Sequence, residues 1–413
     1  MKKPEILAPA GNMEALKTAC LYGADALYLG LKTGSNLRAG AVNFTRDELG
    51  TAVGLAHESN VKVYLTLNTY PHDDMFDIVA QDIQIANEVG IDAIIVSDIG
   101  VLSLVREIAP GMPVHLSTQA NTVNTRAINS WASLGVERVI LARELSYQEL
   151  DFMRNNTAVE LEMFIHGSVC ISISGRCQIS NYLSGRDANQ GSCSHPCRWE
   201  YTLVERTRQG QYMPVIEDDG YTFLYNSKDL CLLPVMSSVM GLGLNGLKIE
   251  GRNKTSIYVA TTVSVYRQAR DAYLNDPDTF TVRPQWIEEV QKISNRGYFT
   301  GFFAGKTDKD GLDYDFKGYK KTHHLAAKVI RAGEGKTIFE ARNPLVEGME
   351  MELLSLGGDN VGFVIDDAHI NGKKATHIRP GDCFEMKTPF EPVPGELVRK
   401  PFKEGYKVVF DGE

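Results

Sequence analysis

Four cysteines crowd into one stretch of the chain, Cys170, Cys177, Cys193 and Cys197, with six, fifteen and three residues between successive thiols. Thiolates are soft ligands. Four of them satisfy either a tetrahedral zinc or the corners of an iron-sulfur cubane. Structural zinc ribbons usually pair two CxxC knuckles, and this stretch has none. The flanking residues, SISGRC and NQGSCSHPC, are small and polar, which leaves backbone amides free to hydrogen-bond cluster sulfurs. The spacing favours an iron-sulfur centre and leaves zinc and unliganded thiols as alternatives. Cys231, in NSKDLC, is a substitute fourth ligand. Cys20 and Cys383 stand apart and read as small buried hydrophobes.

The elements that must position this cluster recur along the first three quarters of the chain. Apolar, β-branched runs begin at Glu5, Ala24, Val61, Ile91, Pro113, Val136 and Val159, and amphipathic segments such as MFDIVAQDIQIANEVG separate them. An eighth run, GLKIEGR, begins at Gly246 and precedes a helical stretch from Thr255 to Leu274. Continuous apolar strands alternating with helices imply a parallel sheet covered on both faces. Eight units in unbroken alternation, with no GxGxxG after the first strand, favour a closed TIM-type (β/α)8 barrel over an open doubly wound sheet. About 80 residues separate the seventh strand from the eighth, and they hold the cysteines. Loops of that length usually carry function. The barrel is expected over residues 1–315, with its metal loop at 168–200. A small antiparallel β-barrel is expected over 320–413, from short alternating runs such as LAAKVIRAG and VGFVIDD.

Reacting groups in a TIM-type barrel lie at the C-terminal ends of the strands. Those ends carry Asn68, Asp98, Gln119, Asn121, Arg143, Glu144, His166, Glu250 and Arg252. Arg143, Glu144, His166, Glu250 and Arg252 are the candidate catalytic groups. Gln119 and Asn121 join Arg143 and Arg252 as candidates for holding a small ligand, since two guanidinium groups can grip a dicarboxylate in bidentate fashion. Tyr182 and Trp199 offer faces on which a base can stack. Arg176, Arg186, Arg198, Lys248 and Lys254 are read as a local positive surface, and the connector KGYKKTHH as either a solvated link or a further basic contact.

Net charge is −9 and the pI is near 5.6, which excludes a protein that coats nucleic acid through bulk positive charge. No apolar run approaches a membrane span, and MKKPEILAPAGN lacks the apolar core of a secretory signal. A cytoplasmic protein is expected, with no membrane partner.

The residues Glu162, Phe164, Gly167, Ser168, Cys170, Gly175, Cys177 and Ser180 form a longer pattern, joined by EILAPAGNMEAL, GADALYLG, HLSTQAN, LAREL and LKIEGR. On these the chain resembles the collagenase-like peptidase family of unassigned mechanism, from its first residues through the C-terminal β region. The resemblance implies a 4Fe-4S cluster on Cys170, Cys177, Cys193 and Cys197. The branch with one barrel and a C-terminal β domain implies hydroxylation of tRNA to 5-hydroxyuridine at the wobble position of the anticodon loop, a reaction linked to prephenate. Other branches imply action on 23S ribosomal RNA or on ubiquinone precursors. The family name implies proteolysis, yet the sequence has no HExxH, no GxSxG and no cysteine-protease signature. A metal-braced binding protein and a requirement for a partner protein stay open.

Overall fold

The computed structural model describes residues 2–39, 41–170, 172–199, 228–305, 319–333, 335–356 and 358–402, with the backbone of 217–218 and 221–222. The expected division at 315 and the residues from 403 onward lie outside this set.

Eight parallel strands form the barrel: β1 (Glu5–Pro9), β2 (Ala26–Leu29), β3 (Lys62–Leu67), β4 (Ala93–Val96), β5 (Val114–Leu116), β6 (Arg138–Ile140), β7 (Glu160–Ser168) and β8 (Gly246–Ile249). Each pairs with the next, and β8 pairs with both β7 and β1, which closes the cylinder. The strands are short and apolar because both faces are covered, the inner by side chains and the outer by helices. The helices start where the sequence supplies caps. Thr45 and Ser146 form capping boxes with Glu48 and Glu149, and the side chains of Asn12 and Asn124 accept first-turn amides.

At nine residues, β7 outruns its neighbour β6. Beyond the reach of β6, a short antiparallel strand, Asp229–Cys231, takes that edge, with Cys231 opposite His166. The chain thus leaves the barrel wall at Ser168, builds the cysteine loop, and rejoins the wall at Asp229. Gly167 makes the exit feasible. Its φ is +108°, and a Cβ there would lie 2.5 Å from the Glu250 carbonyl oxygen, so the ends of β7 and β8 approach as closely as glycine alone allows.

Ionised side chains run along part of the barrel axis. Arg138 on β6 pairs with Glu5 at 2.6 Å and with Glu162 on β7 at 3.3 Å, and Lys248 on β8 lies 3.5 Å from the other Glu162 oxygen. Arg138, Glu162 and Lys248 are all buried. No helix among the described residues is long and apolar enough to cross a membrane.

The C-terminal region is a curled antiparallel sheet of eight strands with its own core around Phe339, Phe384, Met351 and Val398. Cys383, expected to be buried, is exposed on this sheet, because Phe384 beside it is the residue that faces the core. The sheet leans on the barrel through Leu354 and Leu397, which pack into the barrel's hydrophobic cluster. The Tyr22 hydroxyl donates to the Leu354 carbonyl and accepts from the Leu397 amide, each at 2.9 Å. Arg399, fully buried, bridges Glu289 of the helix Pro284–Lys292 and Glu352 of the sheet.

Replacing Arg399 with Met would strand two carboxylates against a single remaining cation, Lys292. Breaking a buried pair from one side costs about 3 kcal/mol or more. Chemical denaturation of Arg399→Met is expected to show that loss. A loss below about 1 kcal/mol would mean that the bridge is screened like a surface pair.

Candidate active site at the mouth of the barrel

A cavity of about 140 Å³ lies at the C-terminal ends of the strands. Tyr28, Thr66, Ile140, Phe164 and Lys248 reach it from the strands themselves. Asn68, Gln119, Arg143, Glu250 and Arg252 line it from just past the strand ends, and Cys170, Cys177, Cys193 and Cys197 line it from the loop. The four clustered cysteines and five of the strand-end polar groups therefore share one space.

Glu250 sits at its electrostatic centre. It accepts from Arg38 Nη2 at 3.0 Å and from the Tyr28 hydroxyl at 3.2 Å, and Arg143 Nη2 lies 4.0 Å away. Burial pushes its carboxyl up, but Arg38, Arg143 and Arg252 outweigh burial and bring it down to about 2. Arg252 donates to Thr66 Oγ1 at 2.8 Å and to Asn36 Oδ1. Burial lowers its guanidinium to about 10, so it stays charged at neutral pH. Arg143 stacks 4.0 Å over the Phe164 ring and donates through Nη1 to the Ser168 carbonyl at 2.8 Å.

Three buried polar atoms on residues lining the cavity have no partner among the described residues: Arg143 Nε, Gln119 Oε1 and Ser172 Oγ. Buried polar groups are normally satisfied, so a set of two acceptors and one charged donor facing one cavity is what a polar ligand would complete.

Other expected residues stand elsewhere. Glu144 accepts from the Ser174 amide at 2.8 Å and its hydroxyl at 3.1 Å, and so fastens the cysteine loop to the end of β6 without lining the cavity. Asp98 caps the helix Ile99–Ile108. Asn121 adopts a left-handed φ of 52° beside the cavity and does not line it. His166 is buried behind the cavity wall, its ring surrounded by Tyr258, Tyr266 and Tyr298 at centroid distances of 5.2 to 5.8 Å. Lys248, read from sequence as part of a positive surface, is buried at the cavity floor, since its strand position faces the barrel axis. Lys254 is held against Tyr319, and Arg176 donates to the Tyr70 hydroxyl and the Gln119 carbonyl. Tyr182 is 88% exposed and Trp199 is 39% exposed, while the side chain of Arg198 lies outside the described set.

Arg38 and Tyr28 were missed by sequence reasoning. The signal was present, because sixteen residues link β2 to the helix Arg46–Glu58, a long connection at the face where barrel chemistry sits.

The donor chemistry fits an iron-sulfur cluster. All four thiols line one cavity, and the His195 amide donates to Cys193 Sγ at 3.3 Å. Gly175, with a φ of +83°, packs where a Cβ would lie 3.5 Å from both Cys170 Sγ and Gln119 Nε2. Among the described residues no three metal-ligating side chains converge closely enough to hold a single ion. Four thiols lining one cavity supply the ligand number that a cubane or a single zinc takes. Cys231 is buried against the Tyr266 hydroxyl at 3.6 Å and does not line the cavity, whereas Cys197 does.

Burial, opposed by Asp229, lowers the His166 imidazole to about 4, so it is neutral at pH 7. The unfolded chain, with histidine near 6.5, binds this proton first as pH falls. The His166 contribution is therefore complete above pH 6.5 and lost between there and pH 4, about 3 kcal/mol in all. His323 and His324, also lowered to about 4 by burial, add to the same slope. Stability measured by denaturation is expected to fall across pH 6.5 to 4, less steeply in His166→Gln. An unchanged slope in that variant would contradict a neutral buried imidazole.

The model of peptidase family U32 matches residues 11–313. The chain is 37% identical to the "tRNA hydroxylation protein P1" of Bacillus subtilis, over 88% of this chain and 86% of that protein. It is 34% identical to the "tRNA hydroxylation protein P" of Escherichia coli, over 96% and 95%. It is also 33% identical to a protein of Porphyromonas gingivalis named "Collagenase", over 97% and 95%. With its strands, its cysteine loop and most of its length matched, this chain belongs to peptidase family U32.

Proposed function

We propose that this protein is a cytoplasmic RNA-hydroxylating enzyme that carries a 4Fe-4S cluster on Cys170, Cys177, Cys193 and Cys197 and acts on C5 of the tRNA wobble uridine. The observation that carries the reading is the shared cavity, in which four thiols face an arginine-rich wall with unsatisfied polar groups. Support for RNA as the substrate comes from the relatives named for tRNA hydroxylation and from one named "23S rRNA 5-hydroxycytidine C2501 synthase".

The cluster, when bound, supplies the one-electron chemistry that side chains lack. The chain's own residues bind and orient. Arg38, Arg143 and Arg252 surround a single carboxylate, Glu250, so the wall keeps a net positive charge suited to a small dicarboxylate such as prephenate. Arg143 Nε and Gln119 Oε1 offer one donor and one acceptor to such a ligand. The exposed ring of Tyr182 and the half-exposed ring of Trp199 lie on the loop that bounds the cavity, and on this reading they stack a base splayed from a single-stranded anticodon loop.

Protein isolated without oxygen is expected to hold about four irons and four sulfides per chain and to absorb broadly in the visible range. Cys170→Ala and Cys177→Ala lose both signals, and Cys231→Ala keeps them. Stoichiometric zinc without iron after anaerobic reconstitution would overturn the cluster. Nucleoside mass spectrometry decides the substrate: a deletion strain lacking parallel pathways should lose 5-hydroxyuridine derivatives from tRNA. Plasmid-borne wild type should restore them, and Arg143→Ala should restore tenfold less or lower. Unchanged tRNA nucleosides in the deletion strain, with gelatin cleaved by the all-alanine cysteine variant, would return the protein to the peptidase reading.

A further inference from the structure

One buried group lining the cavity is an amine. Lys248 lies at the floor with 4% of its surface exposed, its ammonium 4.3 Å from the Tyr28 ring centre and 5.4 Å from that of Phe164. Glu162 lies 3.5 Å from it and is also reached by Arg138, a guanidinium shared with Glu5 and Glu160. A buried amine is costly, and the ion pair with Glu162 offsets that cost only in part. Above it stand Arg143, with its unpartnered Nε, and Arg38.

We propose that Lys248 captures the carbonyl carbon of a 2-oxo acid as an imine, while Arg143 takes the acid's carboxylate. This rests on the reading of the cavity as a carboxylate site. A buried amine between two aromatic rings is disposed to nucleophilic attack once it gives up its proton. Burial holds the Lys248 ammonium below its ordinary range, and Glu162 and Glu250 only partly restore it.

The step balances without an oxidant. Glu162, 3.5 Å away, takes a proton from the ammonium and frees the nitrogen lone pair. The C–N bond forms as the carbonyl π bond opens, and the oxygen acquires protons from the nitrogen and from Glu162. The C–O bond then breaks, one water leaves, and the product is a protonated imine. Charge is conserved, since ammonium plus ketone gives iminium plus water, so the pairing with Glu162 survives the reaction. The iminium is an electron sink for the carbons that flanked the carbonyl. It also fixes the acid at the floor, with its remaining length directed toward the cysteine loop.

The test is reductive trapping on the anaerobically isolated protein, with 2-oxoglutarate, phenylpyruvate and prephenate as probes and cyanoborohydride as reductant, followed by peptide mass mapping. A stoichiometric adduct on Lys248 is expected with at least one probe. It should be slowed by succinate, which has the carboxylates but no ketone, and be absent in Lys248→Arg with a wild-type melting midpoint. Should that variant fold poorly, Lys248→Met combined with Glu162→Gln removes both buried charges and should likewise remain unlabelled. Labelling spread over surface lysines and unchanged in either variant overturns the proposal. So does an unlabelled protein that binds 2-oxoglutarate by calorimetry, which leaves the carboxylate site standing. Absence of binding by every probe removes the carboxylate site together with the imine, while the RNA reading is decided independently by the nucleoside measurement.

Discussion

Everything at the mouth of the barrel is organised by one carboxylate that cannot be protonated at any ordinary pH. Glu250 lies just past β8 and draws in Arg38 from the loop after β2 and Arg143 from the end of β6. Arg252, two residues on, faces the same field while anchored to Thr66 on β3. Four separate parts of the barrel are thereby tied at a single point. One negative charge among three cations is also an incomplete neutralisation, and that asymmetry gives the cavity its preference for an anion. Because the guanidinium groups are held by Glu250, Ser168, Thr66 and Asn36 before any ligand arrives, little side-chain entropy remains to be lost on binding.

Below this layer the barrel departs from the usual stack of branched apolar side chains. Glu5, Arg138, Glu162 and Lys248 occupy successive levels instead. Such a column stabilises less than an apolar filling of equal volume would, since desolvation offsets most of the Coulomb attraction. It does fix the relative register of β1, β6, β7 and β8, because a shift of any one strand would leave a bare charge in a dry interior. The same strands carry the cavity residues and the start of the cysteine loop, so a rigid base is maintained where precision matters most.

The repeating architecture was legible because continuous apolar runs and capped helices are local signals. β1 through β8 were each foreseen, as was the antiparallel C-terminal sheet. What eluded the sequence was direction. His166 precedes Cys170 by four residues and seemed poised for the site, but β7 turns that ring outward among three tyrosines. Glu144 follows Arg143, yet adjacent residues at a strand end diverge, and the carboxylate fastens Ser174 while the guanidinium enters the cavity. Lys248 looked like surface charge because buried lysine is rare, and only its partner Glu162, 86 positions earlier in the chain, makes its burial tolerable. Arg38 is the same case in reverse, since its partner is 212 positions away. Pairings of that range leave no trace in local pattern.

The cysteine loop raises a final question of what holds it in shape. Its described contacts with the barrel are mostly polar: Glu144 with Ser174, Arg176 with Tyr70 and the Gln119 carbonyl, and Gln190 with the Tyr70 carbonyl. Its larger apolar side chains, Ile173, Tyr182, Leu183 and Trp199, are substantially exposed and contribute little burial. Hydrogen bonds at a solvated rim each add about 1 kcal/mol, which does not by itself order some thirty residues against their conformational entropy. Thiolate ligation does so efficiently, because binding energy at a site absent from the unfolded chain becomes folding energy. On the proposed iron-sulfur reading, Cys170, Cys177, Cys193 and Cys197 would order the loop that carries the exposed rings of Tyr182 and Trp199, so cluster binding and loop order would be coupled. A loop built this way needs no apolar core of its own, and its exposed rings stay free for a partner.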